Sequence, residues 1–126
     1  SEVEDRVNEV AKGIYLDDLL SHSAAALSHG QKQWLEIGML LIQDPALMML
    51  DEPVAGMTLN ERKQTAELLN QIIEGRSVVV IEHDMNFVRE IARWVTVMHQ
   101  GKVLSEGLMG DVQKDPQVIE VYLGHS

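Results

Sequence analysis

Two short, uninterrupted apolar runs, each closed by a cluster of polar groups, constrain this chain most. Ala46-Leu47-Met48-Met49-Leu50 is followed by Asp51-Glu52-Pro53, and Val78-Val79-Val80-Ile81 by Glu82-His83-Asp84. Continuous apolar runs of this length suit strands covered on both faces, the kind found in parallel sheets. Apolar positions at helical spacing lie between and around them, so helices and strands alternate and an α/β fold is predicted. Ligands of open α/β sheets bind at the carboxyl ends of the strands. Both runs end there in carboxylate or imidazole groups, so the sheet points at a site.

The elements around these runs follow from local signals. Residues 2–20 predict one or two helical turns interrupted at Gly13, and residues 21–26, Ser-His-Ser and three alanines, predict a loop. Ser28 and Gln31 form an S-x-x-Q capping box, opening a helix to about Gln43 with Leu35, Met39 and Ile42 at helical spacing and Pro45 beyond its end. Thr58 and Glu61 form a second box, for a helix to about Glu74 with Gly75 as its C-cap. Asp84 caps a helix to about Arg93, and residues 94–99 and 102–106 predict an antiparallel hairpin turning at Gln100-Gly101. Asp115-Pro116 starts a terminal helix reaching Leu123. With no repeat, low-complexity tract or linker, one structural unit is expected.

Composition narrows the function classes. The 126 residues carry 10 Lys+Arg against 20 Asp+Glu, a net charge of −10, and no cysteine. A disulfide scaffold, a Cys-ligated zinc site and a cysteine nucleophile are thereby excluded. The acidic excess repels phosphate backbones, so nucleic acid is not an expected partner. At 45% apolar residues the chain has the makings of a packed domain, yet its apolar runs fall far short of the roughly 20 residues of a membrane span. Ser1-Glu2-Val3-Glu4-Asp5-Arg6 is acidic where a secretory signal is basic and then apolar, so export is not expected.

Three segments carry candidate chemistry. One of the adjacent acids Asp51 and Glu52 can hold Mg²⁺ or its water shell while the other orients a water for attack on a phosphoryl group; a solvated strand end is the plain alternative. Ser28-His29-Gly30-Gln31 at a helix N-terminus offers free N–H groups, a hydroxyl and the positive end of the dipole, with Gly30 admitting close approach of a ligand. An ordinary capped helix competes with that reading. His83 can donate to a phosphate oxygen or orient water, although a lone histidine is more often structural. His22, His99 and His125 have no partner in the sequence and are assigned to surface or packing, the seven methionines to core filling, and Trp34 to packing against a neighbour.

Taken in order and spacing, these segments resemble the ATP-binding-cassette ATPases. Leu27-Ser28-His29-Gly30-Gln31 is similar to the family's signature motif, Leu47-Met48-Met49-Leu50-Asp51-Glu52-Pro53 to its Walker B strand with catalytic glutamate, and Ile81-Glu82-His83-Asp84 to its switch histidine. Ala55, Gly56, Met57 and Thr58 fall where the family has its D-loop. Within the family, the Glu-His-Asp-Met run, residues 51–57 and residues 115–124 resemble the branched-chain amino acid importer branch, and residues 27–39 are most similar to urea-importer subunits. His29 stands where the signature usually has Gly, and Thr58 where the D-loop frequently ends in Asp.

The resemblance implies an incomplete P-loop NTPase (RecA-like) core, with a mainly parallel sheet, a signature helix and a C-terminal β-hairpin plus helices. A G-x-x-x-x-G-K-[ST] phosphate loop is missing, because Gly101-Lys102 is preceded five positions earlier by Thr96. Residues 1–126 are therefore expected to be the carboxyl half of a nucleotide-binding domain, inactive alone, with unpaired sheet edges that favour self-association. By the resemblance, ATP and Mg²⁺ are the ligands. Ser28, Gly30 and Gln31 contact the γ-phosphate across a head-to-tail dimer with a second nucleotide-binding domain, Asp51 positions Mg²⁺ through water, Glu52 polarises the attacking water and His83 touches the γ-phosphate. Transmembrane permease subunits are the further partners, which implies a peripheral place at the cytoplasmic face of the inner membrane and uptake of urea or branched-chain amino acids. The competing reading is a non-catalytic interaction or dimerisation module that keeps the signature fold.

Overall fold

The structure, a computed structural model, describes residues 1–123; Gly124 and His125, used above, lie outside the described residues. The chain divides into two compact units, the second beginning at Asp84, where a single unit was expected.

The first unit opens with helix α1, Glu2–Gly13. It is one continuous helix of 12 residues rather than one or two turns, because Ser1 caps it and Gly13 closes it instead of interrupting it. Single 3₁₀ turns follow at Asp17–Leu19 and Ala24–Ala26, the latter inside the expected loop, where the Ser23 hydroxyl accepts from the Ala25 amide. Helix α2 is His29–Leu41, strand β1 Leu47–Asp51, helix α3 Leu59–Ile72 and strand β2 Ser77–Ile81. Arg6 on α1 donates to the Leu41 carbonyl at 3.1 Å, a carbonyl at the end of α2 that also accepts the Asp44 amide at 2.9 Å. Helix α3 ends at Ile72 with Ile73 as its C-cap, ahead of Gly75; with φ of 82° that glycine makes the left-handed turn into β2 instead of capping the helix.

Strands β1 and β2 pair in parallel, Leu47 opposite Ser77 through Asp51 opposite Ile81. Only one face of the pair is covered. Met48 and Leu50 are buried, whereas Leu47, Met49, Val79 and Ile81 are 45–64% exposed. Alternation places these two sets on opposite faces, and the described residues put nothing over the second set. The core of this unit includes Ile14, Leu16, Trp34, Ile37, Met57, Leu68, Leu69 and Ile72. Helix α2 thus buries the side bearing Trp34, Ile37 and Gly38, while Met39 and Ile42 of the expected apolar stripe are exposed. The methionines divide likewise: Met48, Met57 and Met109 are buried, and Met39, Met49 and Met98 exposed.

The second unit holds helix α4, Met85–Ile91, capped by Asp84, and strands β3, Trp94–His99, and β4, Lys102–Leu108, in an antiparallel hairpin. Gln100 and Gly101 both have positive φ, the left-handed pair that a two-residue hairpin turn demands. Helices α5, Met109–Val112, and α6, Pro116–Val118, follow, and the expected terminal helix continues as a π-type turn over Ile119–Leu123. Val97, Val112 and Val118 form a buried cluster against which Val95 and Leu104 pack. The hairpin and the β1–β2 pair are separate sheets.

Candidate functional site

The first group of candidate residues sits at the carboxyl ends of β1 and β2. Parallel register brings Asp51 level with Ile81, and the Glu52 amide donates to the Ile81 carbonyl at 2.8 Å. Glu52 does not continue the alternation of the strand. Its φ is +49°, the left-handed region that costs an ordinary residue about 1 kcal/mol or more and persists where its surroundings fix it. From there its carboxylate reaches His83, Oε1 to Nδ1, at 2.8 Å. A carboxylate can only accept, so Nδ1 carries the proton and Nε2 is the nitrogen offered to a ligand. The His83 side chain is 73% exposed, whereas that of Glu82 is 1% exposed, accepts the His83 amide at 3.1 Å and lies 3.7 Å from Nδ1. The imidazole is therefore flanked by two carboxylates.

The second group surrounds the start of α2. The Ser28 hydroxyl accepts the Gln31 amide at 3.2 Å and the Gln31 side chain accepts the Ser28 amide at 2.9 Å, the full capping box. Gly30 is buried, and a Cβ there would collide with the carboxylate of Glu61. The space beside this glycine, expected for a ligand, is filled by a side chain of α3. His29 turns to the loop after β1, its Nε2 lying 2.8 Å from the Ala55 carbonyl. Its ring lies against Gly56, where a Cβ would be 2.9 Å from Cδ2 and φ is +73°. Deeper along α2, Trp34 Nε1 donates to the buried Thr65 hydroxyl at 2.8 Å, and that hydroxyl lies 3.2 Å from Met57 Sδ. Thr58 caps α3 with Glu61 as its partner.

Asp51 stands exposed at the end of β1, and among the described residues no group of three His, Asp or Glu could hold a metal ion. A single carboxylate fits Mg²⁺ of the kind that arrives with phosphates and keeps most of its waters, and does not fit a protein-only cage.

Residues 1–55 match the ABC transporter family, and residues 102–126 match the family of branched-chain amino acid ATP-binding cassette transporters. Over 128 aligned residues the chain is 33% identical to the high-affinity branched-chain amino acid transport ATP-binding protein LivG of Salmonella typhimurium, covering 100% of this chain and 50% of that one. The chain belongs to the ATP-binding-cassette family. BraF of Pseudomonas aeruginosa, with the same description, is 34% identical over 115 residues, 90% of this chain and 45% of its own. The solved structure of MJ1267, an ATP-binding cassette of an ABC transporter, superposes with a TM-score of 0.86 at 27% identity, covering 97% of this chain and 50% of that one. The fold is thus that of ATP-binding-cassette domains, a P-loop NTPase fold. The chain spans about half the length of the curated relatives it matches.

Sequence reasoning named Glu52, His83, Ser28, Gly30, Gln31, Asp51 and the 55–58 loop, but missed Glu61 and Thr65 as neighbours of α2 and Glu82 as a buried carboxylate. Glu61 was visible only as a capping partner. Nothing local marks Thr65, which lies 31 residues from Trp34.

Proposed function

We propose that this chain is part of the ATP-hydrolysing subunit of an importer, the carboxyl half of a nucleotide-binding domain that works head to tail with a second one. The observation that carries this is the 2.8 Å contact between Glu52 and His83 at the ends of adjacent parallel strands, with Glu52 held in a left-handed backbone. Glu52 accepts a proton from, and so orients, the water that attacks the γ-phosphate. His83 keeps the carboxylate in place through Nδ1 and presents Nε2 to the phosphate. Asp51 would hold Mg²⁺ through water, and when bound that ion neutralises phosphate charge. By the resemblance, Ser28, Gly30 and Gln31 would meet the γ-phosphate of ATP bound by the other domain at the positive end of α2; with the Glu61 carboxylate beside Gly30 and the Gln31 amide held by Ser28, the donors offered are the Ser28 hydroxyl and the main chain of Gly30.

Opening and closing of the pair drives transmembrane permease subunits from a peripheral position at the cytoplasmic face of the inner membrane. No helix of the described residues is long and apolar enough to cross a membrane. The cargo is a small polar solute. The names of the relatives favour branched-chain amino acids, and the resemblance of residues 27–39 favours urea.

The test starts with the reading frame upstream of Ser1, which is expected to encode a G-x-x-x-x-G-K-[ST] loop within about 100 or more residues. In the ATPase so encoded, Glu52→Gln should lower phosphate release at least about 100-fold while leaving ATP binding intact. A frame without that loop, or a Glu52→Gln protein as active as its parent, refutes the reading. Uptake of labelled leucine against labelled urea separates the two cargoes.

A further inference from the structure

The chemistry proposed for Glu52 leaves open what holds a non-glycine residue at φ +49° at the mouth of the sheet. Two hydrogen bonds in series reach it from α2. His29 Nε2 lies 2.8 Å from the Ala55 carbonyl, and the Ala55 amide donates to the Glu52 carbonyl at 3.2 Å. A carbonyl only accepts, so His29 Nε2 carries its proton in either charge state of the ring. The imidazole also fills the space over Gly56, the left-handed residue after Ala55, where a Cβ would lie 2.9 Å from the ring. Hence the two peptide groups that flank the Ala55 Cα are both held, the following one by His29 through the Ala55 oxygen and the preceding one by Glu52 through the Ala55 nitrogen.

We infer that His29 is a positioning residue for Glu52: it clamps the turn over residues 52–55 to the first turn of α2 and so fixes the backbone from which Glu52 meets His83. This rests on reading Glu52 as the residue that orients water. It makes the start of α2, where Ser28 faces the phosphate, and the turn that carries Glu52 one mechanical piece within a single chain. A signature with glycine in the place of His29 has no side chain to make this bond.

Amide hydrogen exchange on this chain, without nucleotide, tests the clamp. Loss of one net hydrogen bond, about 1 kcal/mol, corresponds to about five-fold faster opening of the turn. His29→Gly should accelerate exchange of the Ala55 amide by about that factor. His29→Gln, whose amide nitrogen extends as far as Nε2 and donates to the same carbonyl, should restore it. His29 is exposed, so neither variant disturbs the core. Unchanged exchange in His29→Gly, or no rescue in His29→Gln, overturns the inference. In the upstream-extended ATPase the same pair should show an about five-fold fall in kcat for His29→Gly at unchanged KM for ATP, reversed in His29→Gln. A protein without ATPase activity would refute the proposed function while leaving the exchange result to decide the clamp.

Discussion

Thr65→Val is the sharpest test of how α2 is held to α3. Thr65 is 0% exposed and Trp34 5% exposed, and the indole donates to the hydroxyl at 2.8 Å. Valine keeps the shape but removes the acceptor, leaving a buried N–H that water cannot reach. Such a stranded donor costs about 1–3 kcal/mol, and the gain from exchanging a hydroxyl for a methyl offsets only part of it. The Glu61 carbonyl, 2.8 Å from the same hydroxyl, keeps the main-chain bond that any α-helix supplies. The net loss should be about 2 kcal/mol, which lowers the urea midpoint by about 1 M at unchanged slope. Far-UV circular dichroism in urea measures this for Thr65→Val, Trp34→Phe and the double variant. Phenylalanine has no donor to strand, so Thr65→Val should cost less than about 0.5 kcal/mol in the Trp34→Phe background, a coupling above about 1 kcal/mol. A cost under about 0.5 kcal/mol in the parent, or equal costs in both backgrounds, refutes the hydrogen bond as the tie.

The second unit has its own test. Val118 is 0% exposed, so Val118→Ala should cost about 2 kcal/mol, read through the fluorescence of Trp94 in the same unit. Two glycines should respond with opposite signs in urea melts. Gly75→Ala, at φ 82°, should lose about 1 kcal/mol, whereas Gly13→Ala, at the end of α1 with nothing within 4 Å of the new methyl, should gain about 0.5 kcal/mol. Burial first, and the Glu67 charge second, push the Tyr15 hydroxyl above its ordinary value of 10.0. The folded state thus prefers the neutral phenol, and the stability this confers is full below about pH 10 and lost as pH rises through the folded value. Tyr15→Phe should therefore lose less stability than its parent in alkaline urea melts, and equal losses would contradict the assignment.

What was legible in the sequence was what lies within a few residues of itself. The boxes Ser28–Gln31 and Thr58–Glu61 and the caps Asp84 and Asp115 all close over two or three residues and all form. The Gln100-Gly101 turn is equally local. The strands were visible as apolar runs, but a run states what can be buried and not what arrives to bury it. Leu47 and Met49 are as apolar as their buried neighbours and lie open. On helix α2 the sequence marked Leu35, Met39 and Ile42, whereas the buried side is the one bearing Trp34 and Ile37, where the indole meets Thr65. His29 to Ala55 spans 26 residues and Trp34 to Thr65 spans 31, and no periodicity encodes such contacts.

The Glu52–His83 pair lies between these cases. The two residues are 31 apart, yet each follows a strand within two residues, and the parallel register sets which residues meet. With Asp51 opposite Ile81, the Glu52 amide binds the Ile81 carbonyl, and a residue continuing the pleat would face Glu82. The left-handed φ of Glu52 swings the carboxylate off that line to the imidazole one position further on, while Glu82 turns inward and buries its side chain. A slip of the register by one residue would part Glu52 from His83 and send the apolar side chains of β1 to the opposite face, exposing Met48 and Leu50. The packing that holds those two residues inside is therefore also what aligns the acid with its histidine, and a candidate catalytic contact on the surface is specified by apolar burial one strand length away.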